Sequence, residues 1–184
     1  MRELSLHLLD IAENSIAAQA RTITITIHED TRADRLSMSV RDDGKGMDAD
    51  LLARVIDPFV TSRTTRKVGL GIPLLKAAAE ACNGGLTIQS KPGEGTSLEV
   101  DMQRSHIDRM PMGDLTSTLL TLLVGNPQVH WIFVYQVNDE KFTLDDHFIK
   151  QELEGVPLSD PLVISFLREL LENGIGSIQP QPVY

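Results

Sequence analysis

Residues 36–42 alternate apolar and polar side chains, which predicts a β-strand with Leu36, Met38 and Val40 on one face. Asp42 has the parity of this apolar set, so its carboxylate is expected to point towards the core, whereas Asp43 points away. A carboxylate at the edge of a core requires hydrogen-bond donors, which the amine group of a bound base would supply. The alternative is a strand that ends in a solvated Asp-Gly turn, which for this segment alone is at least as common.

A helical period runs from about Glu3 to Gln19 and predicts an amphipathic helix. Asp10 and Asn14 lie one turn apart on the flank of its apolar face, so their side chains project to one spot. An amide oxygen and a carboxylate so placed suit Mg²⁺ with phosphate and water ligands. Asp10 could instead orient or deprotonate an attacking water or hydroxyl group. For an isolated helix, a solvated polar stripe explains the same residues.

Three short glycine motifs follow along the chain. Gly44 and Gly46 come directly after the predicted strand and allow a tight turn and a close approach to a ligand. Gly69-Leu70-Gly71 precedes a helix predicted from residue 72 to about residue 83, whose free N–H groups and positive dipole end favour an anion. The third motif is Gly93-Glu94-Gly95-Thr96. Each motif is weak alone, but their order and spacing indicate a nucleotide pocket.

A basic segment lies just upstream of Gly69. Residues 61–67 carry Arg63, Arg66 and Lys67 in a chain whose net charge is −9. These cations could close over phosphate groups, or the segment is simply an exposed loop. The dinucleotide fingerprint is excluded because it would require a glycine at Leu74 and a strand immediately before, and the chain contains no G-x-x-x-x-G-K sequence.

These motifs together resemble the ATP-binding domain of the GHKL superfamily, which includes gyrase, heat-shock chaperone, histidine-kinase and mismatch-repair ATPases. The resemblance covers Leu6 to Gln103, a little over half of the chain, and is strongest to the histidine-kinase members. It implies an α+β two-layer sandwich of the Bergerat type, with a mixed sheet and helices on one face. It also implies ATP and Mg²⁺ as ligands.

The resemblance assigns a role to each motif. Asn14 matches the Mg²⁺-binding asparagine of the N box, Asp42 the adenine-binding aspartate, and residues 57–63 the F box of sensor kinases. Asp10 stands where hydrolytic members and anti-sigma serine kinases carry an acidic general base. The remaining implied nucleotide contacts are Gly44, Gly46, Arg63, Lys67, Gly69, Leu70, Gly71 and Thr96.

Departures from the family pattern bear on the reaction. The N box begins within about ten residues of Met1, so we expect no phosphoacceptor hairpin upstream, and a separate protein as substrate or regulator. A fragment around His106 has the spacing of a phosphoacceptor box, but it follows the ATPase domain and is better explained as a titratable surface group. Three functions stay open: a stand-alone kinase acting in trans, a slow ATPase that switches a partner, and a nucleotide-sensing module without chemistry.

Composition favours a cytoplasmic protein. The 184 residues contain one cysteine, Cys82, and no leader or membrane-spanning apolar run is expected. The acidic balance, with a pI near 4.9, argues against nucleic-acid binding by bulk charge.

We predict a domain at residues 1–104, a linker at 105–113, a small α+β module at 114–176 and a loose tail at 177–184. In the module, Asp114 is predicted to cap a helix that ends at Gly125. A strand and hairpin partner follow, and then a helix capped by Ser159 and ending near Gly174. The module contains no catalytic cluster, so we interpret it as a partner-binding or dimerisation unit.

Overall fold

The computed structural model describes residues 3–56 and 71–178. Six helices and six strands lie in these ranges. In chain order they are α1 (Leu4–Ala17), β1 (Thr22–Asp30), β2 (Arg35–Asp42), α2 (Ala49–Ile56), α3 (Gly71–Ala81), β3 (Gly85–Lys91), β4 (Gly95–Gln103), α4 (Leu115–Gly125), β5 (His130–Val137), β6 (Glu140–Asp145), α5 (Asp146–Glu152) and α6 (Pro161–Ile178). The helix predicted from about Glu3 to Gln19 is confirmed as α1, and the strand predicted at residues 36–42 is confirmed as β2.

The strands form one mixed sheet in the order β3-β4-β2-β1-β5-β6. All neighbouring pairs are antiparallel except β1 and β5, which run parallel with Ile25 opposite Phe133. By these pairings β4 and β5 run in the same direction, so the chain must cross over between them, and α4 lies in this connection. This architecture confirms the α+β sandwich expected from the sequence.

Alternation along the strands separates the two faces of the sheet. In β1, Ile23, Ile25 and Ile27 are at most 1% exposed, whereas the threonines between them are only half-buried. The apolar face carries the hydrophobic core, against which α1, α3, α4 and α6 bury their own apolar residues.

The segment after residue 104 shares this sheet and core. Residues of the predicted linker also accept hydrogen bonds from the first N–H groups of α1. Leu4 N donates to the Pro111 carbonyl at 3.0 Å, and Ser5 N donates to the Met112 carbonyl at 2.8 Å. Backbone N–H groups at a helix start have no partner inside the helix, so these two bonds stabilise α1 from outside. The division of the chain into a domain at 1–104, a linker at 105–113 and a small module at 114–176 stays a prediction.

A buried polar network links β1 and β5 to Arg104, the residue directly after β4. The Tyr135 hydroxyl donates to Glu29 Oε1 at 2.6 Å, and Arg104 Nε donates to Glu29 Oε2 at 2.6 Å. Tyr135 is 1% exposed, and burial together with the Glu29 carboxylate raises the pKa of its phenol far above the ordinary value. None of the three residues is among those that line the large cavity of this fold, so we interpret the network as structural.

Asp114 caps α4 as predicted, since its carboxylate accepts from Ser117 N. In α6, however, the cap is Asp160 and not Ser159, because Asp160 Oδ1 accepts from Leu162 N at 2.8 Å. The helix also continues past Gly174 to Ile178. A side chain at Gly174 would collide with the Phe142 ring, so this glycine permits close packing and does not end the helix.

Two short helices, α2 and α5, are absent from the sequence prediction. In the described ranges, no helix has the length and apolar character needed to cross a membrane.

Candidate functional site

A cavity of about 380 Å³ opens between α1, α2 and the ends of β2 and β4. Its lining is largely apolar and includes a few polar side chains, as is usual for small-molecule sites. The residues that line it are Ile11, Asn14, Ser15, Ala17, Ala18, Val40, Asp42, Lys45, Gly46, Met47, Leu51, Val55, Ile72, Ile88, Thr96 and Leu98.

Asp42 is the buried acid of this cavity. It is 8% exposed and lies on the apolar side of β2, as its parity predicts, whereas Asp43 is exposed. Asp42 Oδ1 accepts from Gly44 N at 2.9 Å, and Oδ2 accepts from Ser15 Oγ at 2.6 Å. These two bonds fix the orientation of the carboxylate, whose free lone pairs are available to a donor on a ligand.

Ser15 was not singled out in the sequence. It is 4% exposed and follows Asn14 on the buried side of α1. The available signal is its spacing, because a serine four residues after Ile11 falls on the apolar arc, where its hydroxyl must find a partner. In the fold that partner is Asp42, together with a long bond to the Ile11 carbonyl.

The turn after β2 has the tight geometry expected of its glycines. Gly46 has φ +65°, and a Cβ there would collide with the carbonyl of Lys91, the last residue of β3. Lys45 N donates to the Ala18 carbonyl at 2.9 Å, and the Lys45 carbonyl accepts from Gly93 N at 2.8 Å. The turn is therefore clamped between α1 and the third glycine motif.

Asp43 supports the same turn from outside. Its carboxylate accepts from Arg21 N at 2.7 Å and from Thr22 N at 2.9 Å. Partial burial opposes ionisation, but the backbone N–H groups of Thr22 and Arg21 outweigh it and hold the pKa of Asp43 below its usual range.

Thr96 lines the cavity directly across the strand pair from Asp42. Its hydroxyl is 2.9 Å from Ser90 Oγ, which also receives a bond from Met47 N. The structure thus brings Asp42 and Gly46 of one sequence motif and Thr96 of another into one cavity.

Asp10 and Asn14, the pair predicted to project from α1 to one spot, lie in two different environments. Asn14 is exposed and lines the cavity, where its amide can reach a ligand. Asp10 is not among the lining residues; its Oδ2 is buried without a partner in the described part of the chain, and it lies against Gly71 at the start of α3.

Several predicted contacts lie outside the described residues: Arg63, Lys67, Gly69, Leu70 and the F-box segment 57–63. Lys45 is a cation that lines the cavity and that the sequence analysis did not assign. Its position between Gly44 and Gly46 was the available signal.

Residues 2–106 match the family model described as histidine kinase-, DNA gyrase B-, and HSP90-like ATPase. The sensor protein kinase FleS of Pseudomonas aeruginosa is 44% identical over 88 residues, which are 48% of this chain and 22% of FleS. The non-motile and phage-resistance protein of Caulobacter vibrioides is 32% identical over 111 residues, which are 55% of this chain and 13% of that protein. The chain thus spans less than a quarter of the length of these two relatives.

Among solved structures, the N-terminal domain of a DNA repair protein superposes with a TM-score of 0.54 and 13% sequence identity. The match covers 95% of this chain and 59% of that one. At this identity the likeness concerns the fold alone, and it extends beyond the segment that matches the family model.

Proposed function

The chain belongs to the histidine kinase-, DNA gyrase B-, and HSP90-like ATPase family, and we propose that it binds ATP with Mg²⁺ in the cavity beside Asp42. The observation that carries this proposal is the buried Asp42 carboxylate, oriented by Ser15 and Gly44 in the wall of a largely apolar cavity. A planar base with an exocyclic amine fits such a site, because its faces contact apolar side chains and its amine donates to the acid.

The other residues divide according to the parts of the nucleotide. Thr96 and the turn at Gly46 border the base, and Lys45 supplies positive charge at the cavity. Asn14 would hold Mg²⁺, because an amide oxygen at the cavity rim is a ligand of the type this cation accepts. When bound, Mg²⁺ neutralises phosphate charge, which is the main requirement of phosphoryl transfer.

For the reaction, we propose a kinase that transfers phosphate to a separate protein. The family and the FleS relative, which is named a sensor protein kinase, support this assignment. Asp10 would orient the attacking hydroxyl or water, since it is the acidic group one turn from Asn14 on α1.

A slow ATPase that controls a partner is the second candidate. The observation in its favour is the linker, whose carbonyls bond to the start of α1 and so join the C-terminal segment to the helix that carries Asp10 and Asn14. The C-terminal segment would then bind a partner or a second copy of the chain.

Binding and reaction are tested in that order. Calorimetry with ATP and Mg²⁺ should give one binding site in the wild type. Asp42→Asn should bind ATP much more weakly, because its amide nitrogen is a donor where the amine of the base needs an acceptor. Asp48→Asn, on an exposed carboxylate beside the same turn, is the matched control. Equal affinities in wild type and Asp42→Asn would refute the assignment of the cavity.

Incubation with γ-labelled ATP then separates the reactions. Free phosphate that disappears in Asp10→Asn indicates an ATPase, whereas label on an added partner protein indicates a kinase. Label on the chain itself would point to His106 as acceptor.

A further inference from the structure

Three metal-ligating side chains meet at the open end of the hairpin formed by β5 and β6. They are His130, the first residue of β5, Asp145, the last residue of β6, and Asp146, the first residue of α5. Each offers an imidazole nitrogen or a carboxylate oxygen, and these three atoms all lie within 4.8 Å of one another. None of the three residues lines the cavity beside Asp42, so this three-residue cluster is separate from the proposed nucleotide site.

His130 and Asp145 form the accessible part of the cluster. His130 Nε2 lies 2.8 Å from Asp145 Oδ1, and the two side chains are 35% and 30% exposed. Bonds of about 2.0–2.2 Å to one ion place two ligand atoms about 3–3.5 Å apart, so these atoms need to move little to share an ion. Fifteen residues separate His130 from Asp145 in the chain, so the pairing of β5 with β6 brings them together and no short spacing motif marks the cluster.

Asp146 is the buried part of the cluster, and it is 1% exposed. Its Oδ1 accepts from Trp131 N at 2.9 Å, which fixes the carboxylate against β5. Its Oδ2 makes no hydrogen bond within the described residues, although Lys150 Nζ lies 2.5 Å away as an ion-pair partner. A buried carboxylate is costly without a compensating charge, so Asp146 Oδ2 depends on a cation.

Lys150 has a second partner that does not depend on Asp146. Its ammonium donates to the Val129 carbonyl at 2.6 Å. A metal ion at Asp146 Oδ2 can therefore take over the charge compensation while Lys150 keeps its bond to Val129. A divalent cation also balances the two carboxylates of the cluster more completely than one ammonium group does.

We propose that this three-residue cluster binds a divalent first-row metal ion such as Zn²⁺, with the Lys150 ammonium as its competitor. One imidazole and two carboxylates form a mixed nitrogen and oxygen set that Zn²⁺ accepts, whereas Mg²⁺ and Ca²⁺ prefer oxygen ligands. Three protein ligands leave one position for water or a further ligand. The ion joins β5, the edge strand β6 and the start of α5.

Zinc titration of the nucleotide-free protein by calorimetry tests the ligands. The wild type should bind one ion. His130→Ala and Asp145→Asn should each weaken binding more than about 100-fold, because even changes to groups that only contact a metal ligand cost about 10–100-fold. Asp145→Asn retains a capping side chain for α5, so its loss of affinity does not require a loss of the helix.

His147→Ala is the matched control for His130→Ala. The two rings are neighbours, with centroids 5.7 Å apart, but His147 is not a member of the cluster. Its removal should leave Zn²⁺ affinity within about twofold of the wild type. Equal affinities in the wild type and His130→Ala, or a loss confined to His147→Ala, would overturn the proposal.

Lys150→Gln gives a result that a cluster of purely structural ion pairs does not. Loss of the competing ammonium should strengthen Zn²⁺ binding by about tenfold or more, since a hydrogen bond to a charged group has this size. An unchanged or weaker affinity would contradict the competition. If this variant unfolds without metal, Zn²⁺ should restore its fold, and a variant that stays unfolded with Zn²⁺ would count against the site.

Excess Mg²⁺ separates this site from the proposed nucleotide site. It should leave Zn²⁺ binding unchanged, and displacement of Zn²⁺ by Mg²⁺ would overturn the assignment of a nitrogen ligand. Saturating Zn²⁺ should also raise the melting temperature of the wild type and not that of His130→Ala, because an ion that binds only the folded state stabilises it. A wild type that binds no Zn²⁺ refutes this inference and leaves the proposed ATP binding untouched.

Discussion

Tyr135→Phe removes a single hydroxyl group from the buried network that joins β1, β5 and Arg104. The phenol donates to Glu29 Oε1 at 2.6 Å, and both residues are buried, Tyr135 at 1% and Glu29 at 8% exposure. A hydrogen bond to a charged group contributes about 1.5–3 kcal/mol. Glu29 keeps Arg104 as a partner in the variant, so we expect a loss near the lower half of this range, about 2 kcal/mol.

The expected change is measurable by heat and by urea. An unfolding entropy of about 2.1 cal/mol/K per residue gives about 0.39 kcal/mol/K for the whole chain, so a loss of about 2 kcal/mol lowers the melting temperature by about 5 °C. The urea midpoint should fall with an unchanged m-value, since the surface exposed on unfolding stays the same. Thr121→Val is the matched control, because it removes a hydroxyl from an exposed helical position and should change stability by less than about 0.5 kcal/mol.

A destabilisation of Tyr135→Phe within the range of that control would refute the energetic role of the network. The same unfolding curves also test the division of the chain. A single transition that shifts as a whole is expected if β5 and β1 unfold together, since they are hydrogen-bonded neighbours in one sheet. Two separate transitions, with only the later segment affected, would support independent units on either side of residues 105–113.

Three further predictions concern the site. Asn14→Ala should abolish the Mg²⁺ dependence of ATP binding and leave the circular dichroism spectrum intact; unchanged affinity for Mg·ATP would remove Asn14 from the metal site. Gly46→Ala should cost more than about 2 kcal/mol in urea unfolding, because the residue combines φ +65° with a collision against the Lys91 carbonyl. Gly93→Ala, at φ +78° in open space, should cost only about 1 kcal/mol, and equal costs would contradict the role of close approach. The folded-state pKa of Asp43 is depressed, so its stabilising contribution exists above the unfolded pKa and disappears as pH falls through the folded value. The stability difference between wild type and Asp43→Asn should therefore shrink as pH falls below about 4, and a difference independent of pH would contradict this assignment.

Much of the fold was predictable because its signals are local. The alternation of residues 36–42 placed β2 and the inward direction of Asp42, and a helical period placed α1. The two missed helices lacked such a signal. α2 has eight residues and no fully buried side chain, and α5 has seven and begins directly at the end of β6, so neither presents a long apolar stripe.

The parallel pairing of β5 with β1 was not predictable in this way, because it joins segments about a hundred residues apart and no short motif records it. The candidate site shows the same limit. The glycines at the turn were found from the sequence, since a tight turn leaves a local mark, whereas the bond from Ser15 to Asp42 depends on how α1 lies across β2.

The same argument applies to Asp10. Its spacing from Asn14 correctly put both residues on one flank of α1, and the expectation that they share a spot follows from the helix alone. α3 changes that result, because Gly71 meets Asp10 Oδ2 while Asn14 stays at the cavity. A helical wheel gives the direction of each side chain around one helix, but not which residues of the neighbouring helix that side chain contacts. Residues that bridge two elements, as Ser15 does between α1 and Asp42 on β2, are therefore the ones whose part in a candidate site the sequence pattern does not reveal and the fold does.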